Sequence, residues 1–343
     1  VENNMVQPRF RTRRPTQYDV AERAGVSQAT VSQVLNNASA ISVPEETRQR
    51  ILAVVQELGY VPNLSARSLR TQKTYTIAVI LPDITNPFYP LFLRGIQDVT
   101  EQYDYNLVAY NSDGIPEKEA KCLEGIKRNH VDGLIASLFE GHEDLLSELD
   151  LPIVLLGPKP AGPYPYDVIW LDNILASRQI VRHLIRRGYP RMAMLAGIVG
   201  TPPHQKRYIG FCQALEEHQI PLDESLVIYG DFTENSGYNA MKILLQRASP
   251  PLSVFAVNDL MAMGAMLAIR EAGLHIPQDI AIAAFDDIPA AELTNPPLTT
   301  INQHQENMGR QAAEMLFEQI MGKAPPEVRI VEMPFDLVIR ESA

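Results

Sequence analysis

From Thr76 onward, strand-sized apolar runs alternate with helix-length segments, and this alternation leaves few folds open to the chain. Ile77–Leu81, Leu107–Tyr110, Gly133–Leu138 and Ile153–Leu156 are separated by the helix-length stretches Phe88–Tyr103, Pro116–Asn129 and Glu143–Leu149. Such a series builds a parallel sheet covered by helices on both faces. A second series, Arg191–Ala196, Leu226–Tyr229, Val254–Val257 and Ile280–Phe285, repeats the pattern. These are too many strands for one comfortable sheet, so the sequence predicts two α/β lobes of about 100–150 residues each. Between them lies a cleft, where open α/β sheets hold their ligands.

The residues before Thr76 have another texture: short helices and no strand-like run. Tyr18–Asn36 reads Y-D-V-A-E-R-A-G-V-S-Q-A-T-V-S-Q-V-L-N. Val20, Ala21 and Ala24 form one apolar face, and Val31, Val34 and Leu35 form another. Gly25 stands where a first helix must turn in a left-handed conformation, and Ser27 offers an oxygen to cap a second. This is a helix-turn-helix. Ser42-x-x-Glu45 reads as a capping box with Pro44 in the first turn of a third helix, whose Ile51, Val54, Val55 and Leu58 close a small core before Gly59 ends it. The exposed side chains of the second helix, Gln28, Ala29, Thr30, Ser32 and Gln33, are short and suit base edges and phosphates. A helical packing module without DNA is the plainer alternative.

Charge favours the DNA reading. Residues 1–74 carry ten Lys and Arg against six acids, a net of +4, so with −11 overall the rest carries −15. A basic head on an acidic body orients a protein on a polyanion while keeping the body off it.

Residues 16–73 resemble the DNA-binding head of the lactose-repressor (LacI/GalR) family, and the α/β texture downstream resembles that family's sensor domain. The resemblance implies an all-α helix-turn-helix head plus an α/β two-lobed sensor of the periplasmic-binding-protein type. It also implies a repressor whose affinity for double-stranded, pseudo-palindromic operator DNA is set by a small-molecule effector: a sugar or sugar derivative, or else a nucleobase. By position in the family motif, Gln28, Ala29 and Gln33 face bases, while Ser27, Thr30 and Ser32 hold phosphates. Many members carry arginine where this chain has Gln33, and glutamine pairs with adenine rather than clamping guanine. Asn63–Arg70 matches the family's hinge helix, capped by Asn63 and too short to be stable alone. The resemblance puts Ala66 and Leu69 on one face, with Leu69 as a minor-groove wedge and Arg70 and Arg67 supplying charge. An ordinary linker is the plainer alternative there.

The expected boundaries are a basic, disordered arm over 1–15, the DNA-binding domain over 16–61, hinge and linker over 62–74, and the effector domain over 75–343. The first lobe takes about 75–173 and 304–332, the second 174–303 and 333–343, with Arg329–Arg340 leading back to the second. Three crossings between lobes make a hinge.

Ile80–Tyr89 resembles the strand-to-loop segment that opens the family's cleft. Asp83 and Asn86 offer hydrogen bonds to a ligand there or cap a helix; Phe88 and Tyr89 stack on a ring or belong to the core. Ser137 follows another strand. In the second lobe the resemblance assigns Arg207 to the effector, Phe232 to an aromatic platform, and Asn258 and Asp286 to polar contacts, with Asn258 rather than Asp259 facing the cleft. Gly157 stands where some sugar-binding members carry an acid.

Other classes fit less well. The sequence contains no G-x-S-x-G elbow, no phosphate loop with its lysine and no H-E-x-x-H, and seven scattered histidines lack metal spacing. No catalytic residue, cofactor or metal is therefore expected. A transported-solute receptor would share the two-lobed body but leaves residues 16–70 unexplained. Nothing reads as a secretory signal or a membrane span, and Cys122 and Cys212 read as buried thiols, all of which places the expected protein in the cytoplasm. With no heptad tail after Ala343, a homodimer is expected over a tetramer.

Overall fold

The computed structural model describes residues 15–35, 43–61, 73–139, 141–160, 162, 164–189, 191–250 and 252–343. The chain divides after Gln72 into two compact units. The expected arm (save Pro15), the Ser42 cap and the hinge residues Asn63, Ala66, Arg67, Leu69 and Arg70 lie outside the described residues.

The first unit contains α1 (Gln17–Ala24), α2 (Gln28–Leu35) and α3 (Glu45–Leu58). Thr16 and Asp19 cap α1 reciprocally: the Asp19 carboxylate accepts from the Thr16 amide at 2.7 Å, and Thr16 Oγ1 accepts from the Asp19 amide at 3.4 Å. Gly25 ends α1 at φ +64°, and its N–H turns back to the Ala21 and Glu22 carbonyls. Val20, Ala21, Ala24, Val31, Val34, Ile51, Val54 and Tyr60 form the core. Pro44 stands just before α3 rather than in its first turn, because its ψ of 139° is extended.

The second unit holds both α/β lobes. In the first, β1 (Thr76–Leu81), β2 (Asn106–Asn111), β3 (Gly133–Ser137), β4 (Ile153–Leu156), β5 (Asp167–Trp170) and β11 (Ile330–Glu332) form a parallel sheet in the order β11-β5-β4-β3-β1-β2. In the second, β6 (Met192–Ala196), β7 (Val227–Tyr229), β8 (Leu252–Ala256) and β9 (Ile280–Ala283) are parallel in the order β7-β6-β8-β9. Both orders reverse direction, at β1/β3 and at β6/β8, and such reversals leave a crevice at the carboxyl ends of the strands.

The chain passes between lobes after β5, after β10 (Thr300–Asn302), and between β11 and β12 (Asp336–Val338); β10 and β12 pair antiparallel. Ile330–Glu332 still belongs to the first sheet, with Ile330 paired to Val168. The last return therefore begins at Met333 rather than at Arg329. The helix Gln305–Ile320 packs on Phe88–Gln102 through glycines: a Cβ on Gly95 would overlap the Glu306 carbonyl, and one on Gly309 the Phe92 carbonyl.

Cys122 and Cys212 are half-buried and unbridged rather than fully buried. Among the described residues, no helix is long and apolar enough to cross a membrane.

Candidate functional site

The two reversals open on one cleft of about 670 Å³. Its first wall comes from the loop after β1. Asp83 Oδ1 accepts from the Thr85 amide at 2.8 Å, and Asn86 Oδ1 from the Phe88 amide at 3.1 Å, so both cap their turn while lining the cleft. Phe88 and Tyr89 are buried edge to face, 5.0 Å apart, at once core and lining. Burial pushes the pKa of the Tyr89 hydroxyl up, against the pull of the nearby Ser137.

The second wall centres on Arg207, carried by the helix Pro202–Glu217. Its Nε donates to Asn173 Oδ1 at 3.0 Å, one terminal nitrogen donates to the Val257 carbonyl at 2.7 Å, and that nitrogen lies 3.5 Å from Asp286 Oδ1. The guanidinium carbon stands 3.8 Å from the centroid of the Phe285 ring. Burial pulls the Arg207 pKa down, opposed by Asp286, yet a guanidinium stays protonated near neutrality.

Asp286 is the strained member of this set. Its φ of +125° and that of Asp287, +56°, are unusual for residues with side chains. The conformation is held from several sides. The Asp286 amide donates to the Ile301 carbonyl at 2.9 Å, its carbonyl accepts from Gln305 Nε2, and its Oδ1 accepts from Gln303 Nε2 at 2.6 Å. Asp287 is paired to Arg340 at 2.8 Å. Burial pushes the Asp286 carboxyl up to about 6, against the pull of Arg207 and Gln303. Asp259 lies behind it, its carboxyl raised by burial and by Asp286, and accepts from Thr300 Oγ1 at 2.6 Å and the Ile288 amide at 2.8 Å.

Asn258 lines the cleft, but its polar atoms are committed: Oδ1 caps the helix Asp259–Glu271 through the Met261 amide at 3.0 Å, and Nδ2 donates to the Phe232 carbonyl at 2.9 Å. It thereby holds Phe232 at φ +70°. A Cβ on Gly197 would overlap that ring.

All nine residues expected at the effector site, Asp83, Asn86, Phe88, Tyr89, Ser137, Arg207, Phe232, Asn258 and Asp286, line this one cleft. Asn173, Gln303, Phe139 and Lys206 line it too and were not foreseen. Asn173 follows a strand end, which is the one sequence signal that could have found it. Among the described residues no group of three or more His, Cys, Asp or Glu is placed to hold a metal ion.

In the head, Ser27 Oγ accepts from the Thr30 amide at 3.1 Å, capping α2, and lies 2.8 Å from Thr30 Oγ1. Gln28 Nε2 donates to Gln17 Oε1 at 2.6 Å and so joins the starts of α1 and α2. Ala29 is exposed, and Thr30, Ser32 and Gln33 are half-buried.

Residues 16–63 match the family model "Bacterial regulatory proteins, lacI family", and residues 181–343 match "Periplasmic binding protein-like domain". The chain is 36% identical over 335 residues to the HTH-type transcriptional regulator DegA of Bacillus subtilis (strain 168), covering 95% of this chain and 97% of DegA. It is 37% identical over 346 residues to the HTH-type transcriptional regulator CelR of Thermobifida fusca, covering 97% and 99%. Among solved structures, the lac repressor dimer bound to operator and the anti-inducer ONPF superposes with a TM-score of 0.83 at 28% identity, covering 96% of this chain and 98% of that one. A CelR–cellobiose complex superposes at 0.70 with 33% identity, covering 96% and 100%.

Proposed function

Since the chain belongs to the lacI family of bacterial regulatory proteins and is a DNA-binding transcription regulator, we propose that it is a repressor whose operator affinity is set by a polyhydroxylated small molecule, a sugar or sugar derivative, held in the cleft. The observation that carries this reading is the buried Arg207–Asp286 pair with Asn173 and Gln303 around it. An acid, a guanidinium and two amides converging beside Phe232 and Tyr89 offer alternating donors and acceptors to ring hydroxyls and an aromatic face to the ring's C–H groups. The effector acts through its different affinities for the DNA-competent and DNA-incompetent states, and by no other route.

On the DNA side, Gln28, Ala29 and Gln33 read bases and Ser27, Thr30 and Ser32 hold phosphates. Asn63, Ala66, Leu69 and Arg70 serve the operator centre. The relatives are named as regulators, and no catalytic step is assigned to the cleft.

Selection of binding sequences from a random duplex pool at two salt concentrations tests the DNA half. A pseudo-palindrome whose affinity falls steeply with salt is expected of a homodimeric reader. That operator then reports on a panel of sugars: release or tightening by one of them is expected. An operator that binds normally and responds to no sugar, but does respond to a nucleobase, would overturn the sugar assignment.

A further inference from the structure

Gln17 and Gln28 occupy equivalent places in the head, since each is the first residue of its helix. The residue before each one does the capping: Thr16 Oγ1 accepts from the Asp19 amide, and Ser27 Oγ from the Thr30 amide. Neither glutamine is therefore needed as a cap, and their side chains meet instead. Gln28 Nε2 donates to Gln17 Oε1 at 2.6 Å, across eleven residues of sequence. Both residues are only half-buried. The apolar contacts of Val20, Ala21, Ala24, Val31 and Val34 already join α1 to α2, so a partly exposed amide bond adds little as a staple between them.

What the bond does set is direction. An amide has a donor end and an acceptor end, and a glutamine free to turn over offers either one to a base. In this pair Gln28 spends one N–H and keeps Oε1 and its second N–H, while Gln17 spends Oε1 and keeps both N–H groups. Among the described residues, neither Gln17 Nε2 nor Gln28 Oε1 has another partner. In a helix-turn-helix on DNA, the first helix crosses the backbone and the N-terminal residues of the second contact base edges. A phosphate oxygen only accepts, so Gln17 must meet it with Nε2. Gln17 Oε1 then faces Gln28 Nε2, and Gln28 Oε1 is left for the base. An acceptor with an N–H beside it matches adenine N6 and N7, whereas a turned amide would set its donor there and suit guanine O6.

Resting on the reading of Gln28 as a base-contacting residue, we propose that Gln17 is a specificity-determining residue of the head: it donates to a phosphate oxygen and, by accepting from Gln28, orients that amide to prefer adenine over guanine. Gln17 is a positioning residue, acting on the base through Gln28. Through it, a contact that carries no sequence information decides which atom of Gln28 faces the base.

The test applies the random-duplex selection, at one salt concentration, to the full-length protein and three variants, and then compares affinities for matched A·T and G·C sites. Gln28→Ala identifies the base pair concerned, as the position in each half-site whose preference it erases. At that pair the wild type is expected to prefer adenine over guanine by about tenfold. Gln17→Lys donates but cannot accept, so Gln28 must turn Oε1 to the ammonium and Nε2 to the base. Its preference is expected to move to guanine, while affinity for all DNA rises. Gln17→Glu accepts but cannot donate. Its adenine preference is expected to persist at about tenfold, while affinity for every sequence falls because a carboxylate faces the phosphate. If Gln17→Lys folds poorly, the wild-type preference and Gln17→Glu still carry the test. A wild-type preference for guanine, an adenine preference unchanged in Gln17→Lys, or one lost in Gln17→Glu would overturn the role of Gln17 and leave Gln28 as a reader. A consensus unchanged in Gln28→Ala would remove Gln28 from base reading, and this inference with it.

Discussion

Gln303 Nε2 donates to Asp286 Oδ1 at 2.6 Å, and this bond ties a strand end of the second lobe to the segment that crosses back into the first. Gln303 lies between β10 and the helix Gln305–Ile320. Any movement of one lobe against the other passes through this stretch, one of three such crossings. A ligand that competes for the Asp286 carboxylate therefore acts on the hinge as well as on the cleft.

Gln303→Ala is expected to lower the unfolding free energy by about 1.5–3 kcal/mol, because it removes a donor to a buried charged group. Urea unfolding measures the loss, and a midpoint equal to wild type would show that the bond contributes nothing to the folded state.

The Asp286 carboxyl gives stability a pH signature. Its pKa rises from the ordinary 3.8 to about 6 in the folded state, chiefly through burial. Between those values the folded protein binds more protons than the unfolded chain, so this group's contribution falls as pH rises from about 4 to about 6 and is flat above. Asp259 is shifted the same way and adds with the same sign. Asp286→Asn has nothing to titrate, and its urea midpoint is expected to fall less over that interval. Parallel curves for variant and wild type would remove Asp286 from the account.

Arg207→Lys keeps the charge and loses the planar fork that bonds Asn173 and Val257 and lies on Phe285. The expected result is at least a tenfold loss of effector affinity, about 1.4 kcal/mol, with operator affinity unchanged in the absence of effector. Calorimetry of the sugar that moves the operator equilibrium measures it.

The strands were legible because parallel strands buried on both faces read as near-continuous Val, Ile and Leu runs; Ile77–Leu81 and Ile280–Ala283 are such runs. The first helix pair was legible because Gly25 and Ser27 act locally. Less legible was whatever depends on distant partners. Arg207 and Asp286 lie 79 residues apart in sequence, and only a family resemblance suggested both. Gln303 is an ordinary glutamine until the crossing brings it against Asp286, and nothing in its neighbours signals that. Asn258 was expected to face the ligand, but its amide caps a helix and fixes Phe232, a division of labour that spacing does not reveal.

The glycine contact between the helices Phe88–Gln102 and Gln305–Ile320 is equally non-local. Gly309→Ala sets a methyl group against the Phe92 carbonyl, so the helices must separate. A loss of about 1–3 kcal/mol is expected from such overpacking, read by thermal or urea unfolding. Gly273→Ala makes a useful contrast: at φ +73°, with nothing near its Cβ, its penalty comes from the backbone alone. Equal losses with no change in helix packing, compared by crystallography of the two variants, would show that close approach is not what Gly309 provides.

The last prediction concerns the base read by Gln33, on the half-buried side of α2 next to Val34. A glutamine amide offers a donor and an acceptor, which match adenine N7 and N6, whereas an arginine fork matches guanine O6 and N7. Gln33→Arg is therefore expected to move the preference at one symmetric position in each half-site from A·T to G·C. The discrimination should be about 1–3 kcal/mol per half-site. Because the variant also adds a cation, it will bind all DNA more tightly, so affinity alone is uninformative. The discriminating measurement is a repeat of the random-duplex selection with wild type and variant at one salt concentration. A change confined to one base pair per half-site supports base reading by Gln33. An unchanged consensus with uniformly tighter binding would place the side chain on the phosphate backbone instead.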